Sequence, residues 1–434
     1  MGGIALRPFI DLLPYRIDQA LADHLIGRGL RTWRVRQRRA KAAGASQIKD
    51  QTQQERRRLY VDLAVISRDD AGTGIQRVVR ALALALIEEA SKHWDVRFVT
   101  AFRQSAYHVI SWPDAGIREG HDISARRGDV FLGLDFSLDA VRRHRRQLAR
   151  FRRDGGSLWF LVFDLLPVQR PEWFSPNNVI RYKAWLEVVA GISDGFLCIS
   201  RQTETELKDA LRERFDLHGG YRTRVVPMGH DIMESVLDAE TKQAPGAARF
   251  DMATPFTLMV GTLEPRKGHA DVLEAFSELW RQGADDRLLL VGRMGWRVED
   301  LRARIVGHPE FGTKLLWFDD VDDRELERIY RSCAGFIIAS HAEGFGLPLI
   351  EALGHRKPVL ARDLPIFRQH ENLGVRYFPA AAGPKELAAC IHMWIADVQK
   401  RRINVTAPVA TWKESARVIL SALEPDPASP EPLR

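Results

Sequence analysis

The segment Glu343-Gly-Phe-Gly-Leu-Pro-Leu-Ile-Glu351 places two carboxylates eight positions apart, around two glycines and a proline. Gly344 and Gly346 allow the backbone to approach a ligand without clashes from a Cβ atom. Pro348 suits the first position of a helix, where its missing N–H costs no hydrogen bond. The segment therefore predicts a loop that leads into a helix N-terminus, whose free N–H groups and positive dipole end attract phosphate.

The two carboxylates flank this predicted anion site. Glu343 lies on the loop before the helix, and Glu351 lies within the opening turns of the helix. Carboxylates accept hydrogen bonds from sugar and ribose hydroxyls, so the arrangement suits a sugar nucleotide. The alternative for Glu351 is a carboxylate that only favours the helix dipole, worth under about 1 kcal/mol. The alternative for Glu343 is a solvated loop anion.

A pair of cations occupies a second predicted strand–helix loop, Gly261-Thr-Leu-Glu-Pro-Arg-Lys-Gly-His269. Arg266 could grip phosphate oxygens in a bidentate way, and Lys267 could act as a point charge beside it. Together they could neutralise a diphosphate leaving group. Two exposed loop cations are the alternative, which is weakened by the expected position of the Glu343–Glu351 segment on the same sheet edge.

The order of apolar segments predicts an α/β fold with two doubly wound domains. A chain of 434 residues is longer than one ordinary core, and alternating strand-like and helix-like runs favour parallel sheets covered on both faces. The predicted strands of the first half are Val61–Ile66, Arg97–Thr100, Asp129–Asp135, Leu158–Phe163, Gly195–Ser200 and Arg224–Pro227. Those of the second half are Phe256–Gly261, Arg287–Gly292, Lys314–Phe318, Gly335–Ser340 and Pro358–Ala361.

Composition divides the chain further. The predicted parts are a basic N-terminal extension at 1–58, a first Rossmann-like domain at 59–237, a linker at 238–252, a second Rossmann-like domain at 253–410, a final helix at 411–424 and a disordered tail at 425–434. Proline, glycine and polar residues mark the linker, and four prolines mark the tail.

The net charge of +7 is unevenly distributed, and two arginine clusters lie at 28–41 and 142–153. They are either solvated helix faces or an attraction to an anionic membrane surface or a phosphate-linked acceptor. Nucleic acid is not expected as a partner, because the chain has no zinc-ligand spacing, aromatic RNA-binding pattern or recognition helix.

The sequence contains neither an export signal nor an apolar run of eighteen residues. We therefore expect a cytoplasmic protein, with a peripheral position on the inner face of the cytoplasmic membrane as the place where the arginine clusters would act. The cysteines Cys198, Cys333 and Cys390 are odd in number and widely spaced. They predict reduced thiols rather than a disulfide framework or a zinc site.

Taken together, these motifs resemble the C-terminal donor domain of the retaining glycosyltransferases of group 1, family 4, over residues 256–370. The similar segments are Val260–His269, Leu290–Arg293, Phe318–Tyr330 and Ser340–Ala352. The resemblance implies the GT-B fold, in which two Rossmann-like domains face each other across a cleft and a C-terminal helix, here Thr411–Leu423, crosses back to the first domain.

The resemblance also implies roles for individual residues. Arg266 and Lys267 would bind the donor diphosphate, Glu351 the ribose and Glu343 the donor sugar. Backbone N–H groups would come from Gly344, Phe345, Gly346 and Leu347. Arg293 and the loop around Val321 would complete the donor site, with the loop near the base.

The first half of the chain resembles the family less closely. Gly72 and Gly74 lie in a glycine-containing loop, Asp70–Val79, that could approach the donor across the cleft or could be a tight strand–helix turn. Phe163 stands where many relatives have the histidine of a His-Asp pair. Asp164 is then the remaining polar candidate for a catalytic role, and capping of the strand end is its alternative.

By this resemblance the reaction is a retaining sugar transfer without cofactor or metal, from a GDP- or UDP-linked donor. Mannose from GDP-mannose is the preferred prediction, and the acceptor is a growing cell-surface polysaccharide or a lipid-linked glycan. One alternative is a sugar-nucleotide epimerase of the same fold. Another is a non-catalytic adaptor for membrane or nucleic acid, which would have no need of the complete set Arg266, Lys267, Glu343 and Glu351.

Overall fold

The computed structural model of the protein describes residues 27–42, 56–70, 72–90, 93–113, 120–230, 251–408 and 410–425. These residues form two compact units. The first takes in the described residues within Met1–Ala71, Ile75–Val226 and Ala416–Arg434, and the second those within Gly72–Gly74 and Pro227–Ser415. Most of the predicted linker and nearly all of the predicted tail lie outside the described residues.

The first unit contains a seven-stranded sheet in the order β3-β2-β1-β4-β5-β6-β7. Its strands are β1 (Arg57–Asp62), β2 (Trp94–Thr100), β3 (His108–Ile110), β4 (Val130–Gly133), β5 (Ser157–Val162), β6 (Gly195–Cys198) and β7 (Arg222–Val225). Only the β2–β3 pair is antiparallel. Strands β4 and β6 are buried at every position, as expected for parallel strands that helices cover on both faces.

Helices and short turns connect these strands. They are α1 (Gly27–Ala42), α2 (Gly74–Glu89), α3 (Leu138–Arg143), α4 (Arg145–Arg153), α5 (Leu166–Gln169), a 3-10 turn (Pro171–Trp173), α6 (Pro176–Ile192) and α7 (Arg201–Phe215). The sequence predicts one helix over Leu138–Arg152, but the structure divides it at His144. The His144 ring meets the Phe102 carbonyl oxygen at 2.7 Å, so a tertiary contact lies at the break between α3 and α4.

The arginine-rich N-terminal segment is part of the first unit, whereas the sequence predicted a peripheral extension. Helix α1 packs against α6 and α7, and Val35 is fully buried in the core. Glu187 of α6 pairs with Arg38 at 3.0 Å and lies 3.8 Å from Arg34. Arg39 donates to the Ala190 carbonyl oxygen, at 2.7 Å, near the end of α6. Much of this cluster is therefore used inside the fold, because α6 presents a buried carboxylate and free terminal carbonyls to α1.

The second unit contains a six-stranded, wholly parallel sheet in the order β10-β9-β8-β11-β12-β13. Its strands are β8 (Phe256–Val260), β9 (Arg287–Val291), β10 (Leu315–Phe318), β11 (Gly335–Ile338), β12 (Val359–Arg362) and β13 (Val375–Phe378). Its helices and turns are a 3-10 turn (Pro265–Lys267), α8 (His269–Arg281), α9 (Glu299–Val306), α10 (Asp323–Ser332), α11 (Leu347–Gly354), α12 (Pro365–Arg368), a 3-10 turn (Glu371–Leu373) and α13 (Pro384–Gln399).

Two apolar cores lie on opposite faces of this sheet. Along β9, Leu288 and Leu290 join one core, whereas Leu289 and Val291 join the other, because successive strand side chains point to opposite faces. The α/β fold class with two doubly wound domains is confirmed. Strand β13 was not predicted, since Val375–Phe378 is short and has Arg376 exposed at an edge of the sheet.

The last helix, α14 (Trp412–Leu423), begins within the second unit and belongs to the first from Ala416 onward. Ser415 Oγ donates to the Pro227 carbonyl oxygen at 2.6 Å. Beyond it, Arg417 pairs with Glu89 of α2 at 2.7 Å. The C-terminal helix thus returns to the first unit, as the GT-B resemblance implies.

Candidate active site

Three loops follow neighbouring strands of the second unit. The loops after β8, β9 and β11 contain Gly261–Lys267, Gly292–Gly295 and Ser340–Gly346, and the order β9-β8-β11 puts them at one edge of the sheet. Backbone hydrogen bonds join them. Leu263 N–H donates to the Arg293 carbonyl oxygen at 2.9 Å, and His341 N–H donates to the Arg266 carbonyl oxygen at 2.7 Å. The three loops therefore lie at the carboxyl ends of the strands, where doubly wound sheets bind ligands.

The turn at Gly268 fixes where the two cations stand. Gly268 has a φ of +75°, and a Cβ atom there would lie 2.1 Å from the Ala339 carbonyl oxygen. Only glycine allows both the left-handed backbone and this close approach of the two loops. The turn thereby brings the 3-10 turn that carries Arg266 and Lys267 alongside the loop that carries Glu343.

At the centre of the site, Glu343 lies between two cations. Lys267 Nζ is 2.5 Å from Glu343 Oε1, and Arg266 Nη1 is 3.4 Å from Glu343 Oε2. Ser340 Oγ donates to Glu343 Oε1 at 2.7 Å. Arg266 Nε also meets Glu264 Oε2 at 3.0 Å. The structure therefore brings Arg266, Lys267 and Glu343 together, as the sequence predicted, and adds Ser340 and Glu264.

Burial makes this cluster strongly coupled. The Glu343 side chain is only 8% exposed, and those of Arg266 and Lys267 are about 15% exposed. Burial by itself would raise the pKa of Glu343, but the charges of Lys267 and Arg266 and the hydrogen bonds from Lys267 and Ser340 outweigh it and lower the pKa to about 2. Glu343 is therefore an anion at neutral pH, so it can accept hydrogen bonds but cannot donate a proton.

Glu351 is held from a different direction. It lies buried on α11, and Tyr330 Oη donates to Glu351 Oε2 at 2.9 Å. The Tyr330 ring is stacked on His355, with ring centroids 5.4 Å apart. Tyr330 lies inside a segment that resembles the family, but no residue pattern indicated its contact with a carboxylate 21 positions away.

The N-terminus of α11 completes the site. The helix begins at Leu347, one residue earlier than Pro348 predicted, and Gly346 caps it with a φ of +88°. A Cβ atom at Gly346 would lie 2.5 Å from Phe367 Cε1. Gly344 is buried, and Phe345 packs edge-on against the His370 ring at 6.1 Å. The loop is thus fixed by packing, and the opening N–H groups of an eight-residue helix lie just after Glu343.

A buried arginine holds the loop that carries Glu343 through a hydrogen bond to its backbone. Arg362, at the end of β12, is 2% exposed and donates from Nε to the Ala339 carbonyl oxygen at 2.9 Å. Its Nη2 meets Asp271 Oδ2 at 2.5 Å, and the same carboxylate oxygen lies 3.1 Å from His341 Nε2. Sequence reasoning missed this support, because its three members come from separate elements without a shared motif.

The remaining donor-site candidates of the second unit follow β9 and β10. Arg293 is exposed, and its carbonyl oxygen takes part in the loop pairing described above. Val321 is half-buried and packs against the core between β10 and α10. Both lie at the carboxyl ends of their strands, and their donor-binding roles stay predictions.

The candidates from the first half of the chain have different surroundings. Gly72 has a φ of +65°, Gly74 begins α2, and a Cβ atom at either would meet nothing within 4 Å. Asp164 is half-buried in the first unit, and its Oδ1 accepts a hydrogen bond from Leu166 N–H at 3.1 Å. Its carbonyl oxygen accepts from Tyr182 Oη at 2.5 Å. Asp164 thus has the structural contact that the sequence offered as its alternative role, and its catalytic role stays a prediction.

Residues 241–405 match the family described as glycosyl transferases group 1. The chain carries a group 1 glycosyltransferase domain. The matched residues include Arg266, Lys267, Glu343 and Glu351, so the family resemblance that these residues predicted is confirmed.

Most of the chain also has curated and structural relatives. The chain is 32% identical over 382 residues to the serotype-specific mannosyltransferase WbdA of Escherichia coli. The alignment covers 85% of this chain and 46% of the relative. The chain spans about half the length of the curated relatives of this name.

Two solved structures share the fold. Sucrose-phosphate synthase of Thermosynechococcus elongatus has a TM-score of 0.53 at 19% identity, covering 85% of this chain and 95% of that one. The Anabaena protein HepE in complex with UDP-glucose has a TM-score of 0.52 at 16% identity, covering 84% and 94%. These neighbours are GT-B proteins, and the likeness shows the GT-B fold of this chain.

Proposed function

We propose that this chain is a retaining glycosyltransferase that moves mannose from GDP-mannose to a growing cell-surface polysaccharide or a lipid-linked glycan. The observation that carries the proposal is the buried cluster of Glu343, Lys267 and Arg266 beside the N-terminus of α11. The membership of residues 241–405 in the group 1 family supports the transfer of a sugar.

In this proposal the donor diphosphate binds at the cations and the helix N-terminus. Arg266 and Lys267 already face one carboxylate oxygen each, and the N–H groups around Leu347 add a positive dipole end. Glu351 accepts hydrogen bonds from the ribose hydroxyls, with Tyr330 holding its other oxygen. Glu343 accepts from hydroxyls of the donor sugar.

In the proposed reaction, positive groups of the protein stabilise the negative charge that develops on the leaving group. As the bond between the anomeric carbon and the diphosphate oxygen breaks, negative charge grows on the leaving group, where the two cations and the helix end stabilise it. The acceptor hydroxyl attacks the face that the diphosphate leaves, so the anomeric configuration is retained. The departing phosphate oxygen takes the acceptor proton. Since the protein supplies the positive charge, the proposed reaction needs no divalent metal.

The choice of sugar rests on the relatives. The E. coli relative is a mannosyltransferase and aligns with 85% of this chain, which supports a mannosyl donor. HepE binds UDP-glucose, so UDP-glucose is the appropriate competing donor in a test. An adaptor without activity is disfavoured, because burying two cations and a carboxylate is costly unless the cluster has a use.

The proposal includes a position at the inner face of the cytoplasmic membrane. None of the helices in the described part of the chain has the length and apolar character to cross a bilayer. Within the second arginine cluster, Arg143, Arg146, Arg150 and Arg153 are all exposed, at helical spacing along α3 and α4. Such a basic face would be attracted to anionic lipids, where a lipid-linked acceptor would be found.

The proposal is tested by analysing the product. The chain is incubated with GDP-mannose or UDP-glucose and a mannose-terminated oligosaccharide, with and without a chelator, and the new linkage is examined by NMR. We expect mannose transfer with the donor's anomeric configuration, unchanged by the chelator. Inversion, dependence on a divalent metal, or transfer of glucose alone would contradict the corresponding part of the proposal.

A further inference from the structure

A crevice lies at the carboxyl ends of three strands of the first unit. It has a volume of about 300 Å³ and is lined by the loops after β1, β2 and β4. In the sheet order, β1 lies between β2 and β4, so the crevice occupies the point where the strand order reverses. That is where doubly wound sheets bind ligands.

The lining of the crevice is strongly basic. Arg68 follows β1, Arg103 follows β2, Arg143 ends α3 and Arg181 belongs to α6. Asp139 is the one acidic residue of the described lining. Four elements that are distant in the sequence thus contribute one guanidinium each to the same space.

Three of these arginines are available to a ligand. Among the residues that the structure describes, Arg68, Arg103 and Arg143 are exposed and form no ion pair, whereas Arg181 pairs with Asp139 at 2.8 Å. Arg68 is oriented by the Phe102 ring, over which its guanidinium carbon lies at 5.1 Å. The one carboxylate of the described lining, Asp139, pairs with Arg181, so the charges of Arg68, Arg103 and Arg143 would attract an anion into the crevice.

We propose that this crevice binds a phosphate-class anion through Arg68, Arg103 and Arg143. Guanidinium groups match the geometry of phosphate in bidentate hydrogen bonds, and three of them suit a doubly charged phosphate better than a single carboxylate. The crevice belongs to the unit that does not contain the cluster of Arg266, Lys267 and Glu343, so the anion would be part of the acceptor. That assignment rests on the proposed function. The binding of the anion itself does not depend on that function.

The test compares two arginine pairs in the full chain. Arg68→Gln/Arg143→Gln removes two charges from the crevice, and Arg146→Gln/Arg153→Gln removes two exposed charges that do not line it. Equilibrium dialysis with inorganic phosphate and with mannose 6-phosphate gives the stoichiometry and affinity of binding. Any binding at Arg266 and Lys267 is common to both pairs, so the difference between the pairs reports the crevice alone.

We expect the control pair to bind phosphate like the unaltered chain. The crevice pair should lose one equivalent, or bind it at least about tenfold more weakly, because it loses the charge-assisted hydrogen bonds of two guanidinium groups. Asp139→Asn should tighten binding, because it removes the one carboxylate of the described lining. Equal binding by the two pairs, or no binding of any probe, would overturn the proposal whether or not the chain transfers sugars.

Vesicles of phosphatidylcholine with phosphatidic acid separate the two sources of the phosphate. If the crevice pair loses mannose 6-phosphate, the group belongs to a soluble or glycan-linked phosphate, and the proposal stands. If the crevice pair loses inorganic phosphate and also loses more vesicle binding than the control pair, the group is a lipid headgroup, and the proposal also stands.

Discussion

The carboxylate of Glu343 is buried between two cations, and burial raises the cost of removing any one of the three charges. Two of the partners were expected from the sequence, since Arg266 and Lys267 follow one strand and Glu343 follows another. Parallel strands end at the same edge of a sheet, so short motifs after each strand were enough to predict the meeting. Tyr330 and Arg362 were not predictable in this way, because each reaches the site from the body of another element.

The lowered pKa of Glu343 has a consequence for stability. Its pKa of about 2 in the folded protein lies below the ordinary 4.5, so its ionisation stabilises the fold fully above about pH 5, and this contribution is lost as the pH falls towards 2. By pH 4 the loss should be about 1 kcal/mol. Thermal unfolding of the unaltered chain and of Glu343→Gln should therefore differ most at pH 7 and less at pH 4. A difference that stays constant over this range would contradict the assigned ionisation.

Tyr330→Phe should weaken nucleotide binding while leaving the fold intact. The substitution removes the hydroxyl that donates to buried Glu351, and a hydrogen bond to a charged group contributes about 1.5–3 kcal/mol. Tyr60→Phe is the matched control, because it removes a hydroxyl that donates to the Ser124 carbonyl oxygen in the first unit. Titration calorimetry with nucleotide diphosphates makes the comparison. Equal affinities for the two variants would mean that Tyr330 does not position Glu351 for the ligand.

At the scale of elements, the N-terminus of α11 depends on one backbone conformation. The sequence predicted this helix from its glycines and proline, and the structure moves its start by one residue. Helix α1 was harder to foresee. Its arginines looked like a solvated or membrane-facing run, because composition does not reveal that α6 presents Glu187 and its terminal carbonyls to them.

Gly346→Ala should disturb the α11 site more than a glycine replacement at another helix cap. The left-handed φ of +88° and the 2.5 Å approach to Phe367 both oppose a Cβ atom. The backbone strain alone is worth about 1–2 kcal/mol. Gly383→Ala is the control, since Gly383 caps α13 with a φ of −78° and open space around it. We expect Gly346→Ala to lose nucleotide affinity in calorimetry and Gly383→Ala to keep it. The reverse order would show that α11 is not part of the binding site.

Glu187→Ala should destabilise the first unit, because it leaves Arg34, only 4% exposed, without its buried carboxylate. Removing one partner of a buried ion pair costs about 3–5 kcal/mol. Glu172→Ala, which removes an exposed carboxylate, should change the unfolding temperature little. If both variants unfold alike, α1 is not fixed through Glu187.

At the scale of the whole molecule, the alternation of strands and helices was sufficient to predict two doubly wound units, because buried parallel strands appear as short continuous apolar runs. The substrates were not predictable to the same depth. The cluster of Arg266, Lys267 and Glu343 is built from charged motifs, whereas the lining of the basic crevice in the first unit takes single arginines from four elements. Those arginines come together only in the folded chain, so no sequence motif predicts the crevice.

The central claim is that the second unit binds a nucleotide sugar through Glu343, Lys267, Arg266 and Glu351. Its most direct test is calorimetric titration of GDP-mannose and UDP-glucose into the unaltered chain and into Glu351→Gln, with Glu172→Gln as the exposed control. We predict saturable binding of GDP-mannose, weakened at least about tenfold in Glu351→Gln, as the loss of a charge-assisted hydrogen bond implies, and unchanged in Glu172→Gln. No binding of either nucleotide sugar, or equal affinity in all three proteins, would contradict the claim.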